Sequence, residues 1–502
     1  MSEMHRRAER ALNKLITDDG AGLYTSNGLL FNHTVFGRDV TMMSRWMLEL
    51  GHKYRPTVHD VILTLARLQG IRVNRRSEEE PGRILNQYKL YSKWRASWLL
   101  KTSGRIAGLL WGGSLAHELT YIGIDTTPLY VLLVCEYAED NPGIFEEVVT
   151  RRDGAQVTIR ESVMEALHWM NEHRQSHGFL ARRRRNVLSL FFESWRDSHL
   201  AYLYPSGRLA SLSRPVAHLE VQVLYVDALR AAAKALPREQ LTPTWKRHGD
   251  ELAASTIERF WMADYGYFTM ALDPDRKGRL HPIPTPASSP GWMLDSTIFD
   301  GVPADEQRKY VEAIIRRLSC GDFVTKVGIR ARGNGSDSGL GVADYHGSWT
   351  VWPMDTFKYA RGLRRHGLPR LAHEMEQRII RGVNESGSFY EYFLVSPAGE
   401  VLWRPHAKPA KKSTRHINIQ IIPERDLGWT IVACMLIGRQ KIEPVSTAAW
   451  RNELEDEVVA HLRHLSEHPQ TDHPFDIRQV RGAFRVAVKA TSAVFQEYIL
   501  KR

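Results

Sequence analysis

Residues 191–197 read Phe191-Phe192-Glu193-Ser194-Trp195-Arg196-Asp197. Two carboxylates, a guanidinium and an indole fall within one short segment. Cleavage of a glycosidic bond draws on such a set, because carboxylates move protons and aromatic faces hold a sugar ring. A second cluster, Phe389-Tyr390-Glu391-Tyr392-Phe393, sets one carboxylate among four aromatics. Exclusion of water there would sharpen Glu391 as a base.

Further clusters carry groups able to bind hydroxyls. Phe36-Gly37-Arg38-Asp39 closes a long loop and opens a helix. Its Arg donates and its Asp accepts in fixed geometry. Asp125 lies at the start of another helix, in Tyr121-Ile122-Gly123-Ile124-Asp125-Thr126-Thr127-Pro128. Tyr345-His346-Gly347-Ser348-Trp349-Thr350-Val351-Trp352-Pro353 puts two indoles beside an imidazole, and Gly428-Trp429-Thr430 opens an apolar helix. Each cluster also has a plain structural reading. Asp39 and Asp125 fit helix caps, Pro81 to Tyr88 fits a turn, and Trp349 with Trp352 fits an aromatic core plug.

The elements that must position these residues are mostly helical. Apolar residues recur at spacings of three and four over 39–50 (Val40, Met43, Trp46, Met47, Leu50) and 57–69 (Val58, Val61, Ile62, Leu65, Leu68). Similar patterns predict helices over 4–16, 126–138, 157–173, 215–236, 244–261, 303–318, 353–366, 369–382, 425–438, 445–466 and 475–499. The long connections are 19–38, 104–125, 174–214, 263–301, 320–352 and 384–424, the last with room for short strands. Most of the clusters sit on these connections, as expected for a scaffold that carries its site on loops. The reading is one catalytic domain over 1–440 and a helical extension over 441–502.

The composition narrows the classes. A 43% apolar and 25% charged chain is that of a globular protein with a large core. No apolar run reaches the length of a membrane span, so no membrane partner is expected. The three cysteines, Cys135, Cys320 and Cys434, are dispersed and suggest neither a disulfide framework nor a zinc site. With a charged N-terminal helix and no leader pattern, a cytoplasmic location is expected. His461 and His464 lack supporting ligands, and no metal or other cofactor is expected. The net charge of +11 is spread along the chain except at Arg182–Arg185 and Lys408–Lys412. Those runs read as solvated loops, or as a steering patch for anionic substrates.

In their shared order the clusters resemble the six-hairpin glycosidases. The nearest likeness is to the amylo-α-1,6-glucosidase domain of glycogen debranching enzymes, and a more distant one is to glycoside hydrolase families 63 and 15. The matching runs are Thr34 to Asp39, Pro81 to Asn86, Ile124 to Tyr130, Ser194 to Ser198 and Tyr345 to Pro353. The resemblance covers residues 20 to 438. It implies an all-α (α/α)6 toroid with long loops forming an active-site funnel. It implies inverting hydrolysis, with Asp197 as general acid and Glu391 as general base. Binding of the sugar would fall to Arg38, Asp39, Asp125, Glu193, Trp195, Arg196, His346, Trp349, Trp352 and Trp429. Asn86 stands where the family has His, and an extra residue lies near Trp349. No counterpart of the family's large N-terminal sugar-binding domain or transferase domain is expected within these residues. The expected substrate is therefore a small glucoside or an oligosaccharide, attacked from its end.

Two other classes stay open at this level. A non-catalytic helical toroid or solenoid could bind an anionic partner such as nucleic acid, which the charge favours and the carboxylate and tryptophan loops disfavour. A phosphorylase or isomerase could use the same fold, but a phosphorylase would need a basic phosphate pocket near Glu391.

Overall fold

In the computed structural model of the chain, residues 3–17, 20–186, 189–198, 200–333, 345–396, 398–401, 423–439 and 449–467 are described. Helices dominate. In chain order they are α1 (Glu3–Leu12), α2 (Gly37–Glu49), α3 (Arg55–Arg67), α4 (Trp98–Leu110), α5 (Thr126–Ala138), α6 (Ile159–Glu172) and α7 (Leu219–Ala235). They continue with α8 (Thr242–Phe260), α9 (Gly291–Leu294), α10 (Ala304–Leu318), α11 (Pro353–Arg365), α12 (Pro369–Ser386), α13 (Gly428–Ile437) and α14 (Ala449–Glu467).

The chain divides into two compact units. The first comprises Met1–Trp195, Val221–Ser255 and Glu424–Gln440. Here α2 packs on α3, α5 and α13, α1 on α13, and α5 on α6. The apolar stripe read from residues 39–50 faces this core, with Val40, Met43 and Met47 fully buried. α5 and α13 are apolar around most of their circumference, and both are enclosed accordingly. α13 begins at Gly428, where any side chain would collide with Met43. α6 starts with a capping box, in which Thr158 accepts from the Glu161 amide and Glu161 accepts from the Thr158 amide. A three-stranded antiparallel sheet in the order β1 (Thr34–Phe36), β2 (Gln87–Leu90), β3 (His117–Thr120) completes this unit's framework.

The second unit comprises Arg196–Glu220, Thr256–Pro423 and Lys441–Arg502. α11 packs on α9 and α12, and α14 on α12. No side chain of its own caps α12. Instead Glu455 of α14, fully buried, accepts from the Arg370 and Leu371 amides at 2.8 and 3.0 Å. A carboxylate thus meets the positive end of the α12 dipole.

The helices expected from periodicity are present throughout the described residues, with shifted ends. Two helices were not expected, the four-residue α9 within 263–301 and α4. The pattern gave no helix between 69 and 104 and a loop over 104–125, whereas the chain is helical from Trp98 to Leu110 and then forms β3. α4 packs through Gly104 and Gly108 and leaves Trp98, Ile106, Leu109 and Leu110 exposed, which inverts the usual signal. The expected helix over 475–499 and the Lys408–Lys412 run lie outside the described residues.

Candidate functional site

In the first unit the sheet gathers three motifs that are far apart in sequence. β1 pairs with β2 so that Phe36 faces Gln87, and β2 pairs with β3 so that Gln87 faces Thr120. The residues just beyond this edge are Gly37–Asp39, Asn86 and Gly123–Asp125. The Gly37 amide donates to Asn86 O at 2.9 Å, and the Asn86 amide donates to Thr120 O at 2.7 Å. Gly37 is needed for this approach, since a Cβ there would strike the Leu85 carbonyl. A Cβ on Gly123 would lie 2.7 Å from Asn86 Oδ1. Within this closure Arg38 Nε donates to Asp125 Oδ2 at 2.8 Å, with side chains only 10% and 2% exposed. Asp39 is buried beside them in the first turn of α2. Trp429 is buried at the start of α13.

The segment leading to Trp195 joins the same region. The Ile124 amide donates to Glu193 O at 2.7 Å. The Glu193 carboxylate accepts from Arg182 Nη1 at 2.8 and 3.0 Å and from Arg83 Nη2 at 3.2 Å. Arg182 also reaches Glu78 at 2.5 Å and Glu80 at 3.1 Å. Trp169 Nε1 and His173 Nε2 add to Glu80 at 2.8 and 3.0 Å. Burial opposes ionisation of Glu80, but the His173 bond and the charges of Arg182 and Arg83 outweigh it and hold this carboxyl well below its usual range. The Arg182–Arg185 run is therefore not the solvated loop or steering patch read from sequence. Arg182 and Arg184 are buried, and only Arg183 and Arg185 are exposed. Buried acidic partners explain the difference, Glu193 close by in sequence and Glu78 and Glu80 far from it.

In the second unit two short strands bring the remaining motifs together. Thr350 pairs with Leu394 and Val351 with Phe393, so the Tyr345–Trp352 segment lies along the Phe389–Phe393 segment. Arg330, buried, donates to Ser348 O at 2.6 Å and Ser396 O at 2.8 Å and ties both segments down. Tyr345 donates its hydroxyl to Glu391 Oε1. Glu391 is 5% exposed, whereas Asp197 keeps more of its surface open. Burial raises the Tyr345 phenol well above its ordinary value, and the charges of Glu391, Tyr392 and Asp197 push it the same way. Both expected catalytic carboxylates therefore act on one phenol. His346 Nδ1 lies 3.0 Å from Ser198 Oγ, directly after Asp197 in the chain. His346 stacks on Trp352 at 4.8 Å and 11°, and Trp352 Nε1 donates to Tyr345 O at 3.1 Å. Trp349 is buried in the same segment.

Arg196 turns into the core of this unit. It donates to Ser289 Oγ at 3.0 Å and Ser288 Oγ at 2.5 Å, and lies 3.9 Å from Asp355. Asp355 also accepts from Trp292 Nε1 at 2.7 Å. The arrangement commits Arg196 to a buried network that sequence reading did not foresee. Tyr345 was missed as a functional group although it opens a quoted motif. No spacing rule pairs a residue at 345 with one at 391; the strand register does.

Among the described residues no three His, Cys, Asp or Glu side chains are grouped as metal ligands. A cavity of about 720 Å³ is lined by Glu136 of α5, Glu139 just past it, Arg160 of α6 and Lys234 of α7, among others, and holds none of the motif residues.

No protein-family model matches the sequence, and no curated protein matches it. Solved structures do share its fold. The GH63 mannosylglycerate hydrolase from Thermus thermophilus, in complex with glucose, superposes with a TM-score of 0.56 at 14% identity, over 87% of this chain and 100% of that one. An uncharacterised conserved protein from the same organism gives 0.55 at 13%, over 88% and 100%. A structure described as a wild-type glycosidase gives 0.51 at 9%, over 87% and 95%. These likenesses show the fold: the chain has the largely helical, six-hairpin glycosidase type of architecture expected from its motifs.

Proposed function

We propose that the chain is an inverting, exo-acting glycoside hydrolase of the α-glucosidase type. The observation that carries the reading is the bond of Tyr345 to Glu391, on a phenol that also feels the charge of Asp197 within the second unit. Asp197 protonates the leaving oxygen, and Glu391 activates the water that attacks from the opposite face. The protonated Tyr345 orients Glu391 and cannot itself compete as a base. Arg38, Asp39 and Asp125 are assigned to the sugar hydroxyls, and Trp195, Trp349 and Trp429 to its apolar face. Glu193, Arg196, His346 and Trp352 hold that machinery in place through the contacts given above.

The substrate class is a small glycoside or oligosaccharide, cut in the manner of an amylo-α-1,6-glucosidase. A second reading adds a carboxylate to the aglycone. It is favoured by the fold neighbour's complex with Tris and D-glycerate (TM-score 0.52, 13% identity). The experiment is a screen for released sugar over α-1,6- and α-1,4-linked glucosides, glucosylglycerate and mannosylglycerate, with the anomer followed by NMR. Release of the β-anomer from an α-glycoside supports the inverting scheme. Release of the α-anomer, or of no sugar from any of them, overturns it.

A further inference from the structure

The helix that the sequence pattern failed to announce has an unusual orientation. α4 is carried on the hairpin between β2 and β3. It is held by its small residues. A Cβ on Gly104 would lie 2.9 Å from the Trp94 ring, and one on Gly108 would strike the Tyr91 hydroxyl. Tyr91 Oη donates to Gly104 O at 2.8 Å. Four bulky residues of the helix are exposed instead. Trp98 is 73% exposed, Ile106 58%, Leu110 53% and Leu109 42%. Spacings of eight and three place Trp98, Ile106 and Leu109 along one face, with Thr102 between the first two. Leu115, just past the helix, is 65% exposed. A surface helix ordinarily turns such residues inward, and a contiguous exposed apolar stripe marks an interaction surface.

Charge selects the partner. Lys101 and Arg105, four residues apart, run along the edge of the stripe, and the chain as a whole carries +11. A second copy would bring the same sign. A two-fold pairing of α4 with itself would set these cations against their own kind. A bilayer with acidic headgroups supplies an apolar interior for the stripe and anions for its edge. Trp98 stands at one end of the helix, and tryptophan favours the depth of the headgroups. We propose that α4 is a peripheral docking helix that lies in the surface of an anionic lipid bilayer. No described helix is long and apolar enough to cross a membrane, so the association is with the surface. The proposal does not depend on the glycosidase reading.

The test uses the full chain and sedimentation with vesicles of phosphatidylcholine alone, or of phosphatidylcholine and phosphatidylglycerol in equal parts, at low and moderate salt. Two variants accompany it: Ile106→Ser/Leu109→Ser/Leu110→Ser and Lys101→Ser/Arg105→Ser. The positions are exposed or half-exposed, and melting curves verify the fold. The parent is expected to partition onto the acidic vesicles, less so as salt rises. Removing both cations should weaken that partition roughly 25-fold, at about fivefold for each basic side chain near an anionic surface. The serine triple variant should lose binding to the acidic vesicles. A parent that ignores acidic vesicles, or a folded triple variant that binds as the parent does, overturns the proposal. So does light scattering that finds a dimer in the parent and a monomer in the triple variant, which would assign the stripe to a second copy.

Discussion

Tyr345 donates its hydroxyl hydrogen to Oε1 of Glu391, and its phenol also responds to the charge of Asp197. A donor aimed at a carboxylate favours the charged form of that carboxylate. The phenol, raised well above its ordinary value, remains a donor across the working pH range. Replacing it with Phe removes that support and leaves the ring packing against Trp352 and Tyr392 in place. In Tyr345→Phe the acid limb of the kcat/KM profile is expected to move to higher pH. An unchanged limb would mean that Tyr345 only fills space.

Asp197→Asn and Glu391→Gln keep shape and delete proton transfer. Each is expected to lower kcat by a factor of about 10² to 10⁴, the usual worth of general acid–base help. Circular dichroism and melting temperature should match the parent. Activity within threefold of the parent in either variant would remove that residue from the mechanism.

The Arg38–Asp125 pair is buried, so removing one partner strands the other. Arg38→Met should cost about 3–5 kcal/mol in a urea titration, because Asp125 is left without its cation. The double variant Arg38→Met/Asp125→Asn should recover part of that loss. Sugar binding should not recover with it, since the hydroxyl-binding groups stay absent. If stability and KM recover together, the pair serves the fold alone.

Much of this architecture was legible in the sequence. The periodicity around Val40, Met43 and Met47 located the face of α2, and the motif order located the loops. Three features were not legible, each for a physical reason. α4 inverts its pattern, because Gly104 and Gly108 make the packed face. Arg182 looked like part of a surface charge run, because its partners Glu78 and Glu80 reach it only through long-range folding. Tyr345 and Glu391 meet through the register of two-residue strands, and strands that short leave no period to read.

The Arg182 network yields a pH dependence. Glu80 is held below its unfolded value, so it contributes stability that is complete above the ordinary carboxylate range, about pH 4.3. That contribution is lost as pH falls through the depressed folded value, where the native state must also take up the proton. Glu80→Gln removes the term. The stability gap between parent and Glu80→Gln is therefore expected to be largest near pH 6 and to shrink steadily below about pH 4.3. Arg182→Met should be more severe at neutral pH, by about 3–5 kcal/mol, since Glu78, Glu80 and Glu193 would face one another with one cation fewer. Acid should lessen that penalty by neutralising the three carboxylates. Urea titrations of the parent and both variants from pH 3 to pH 7 read each trend. A gap for Glu80→Gln that stays constant or widens on acidification would show that Glu80 is not held ionised by its partners.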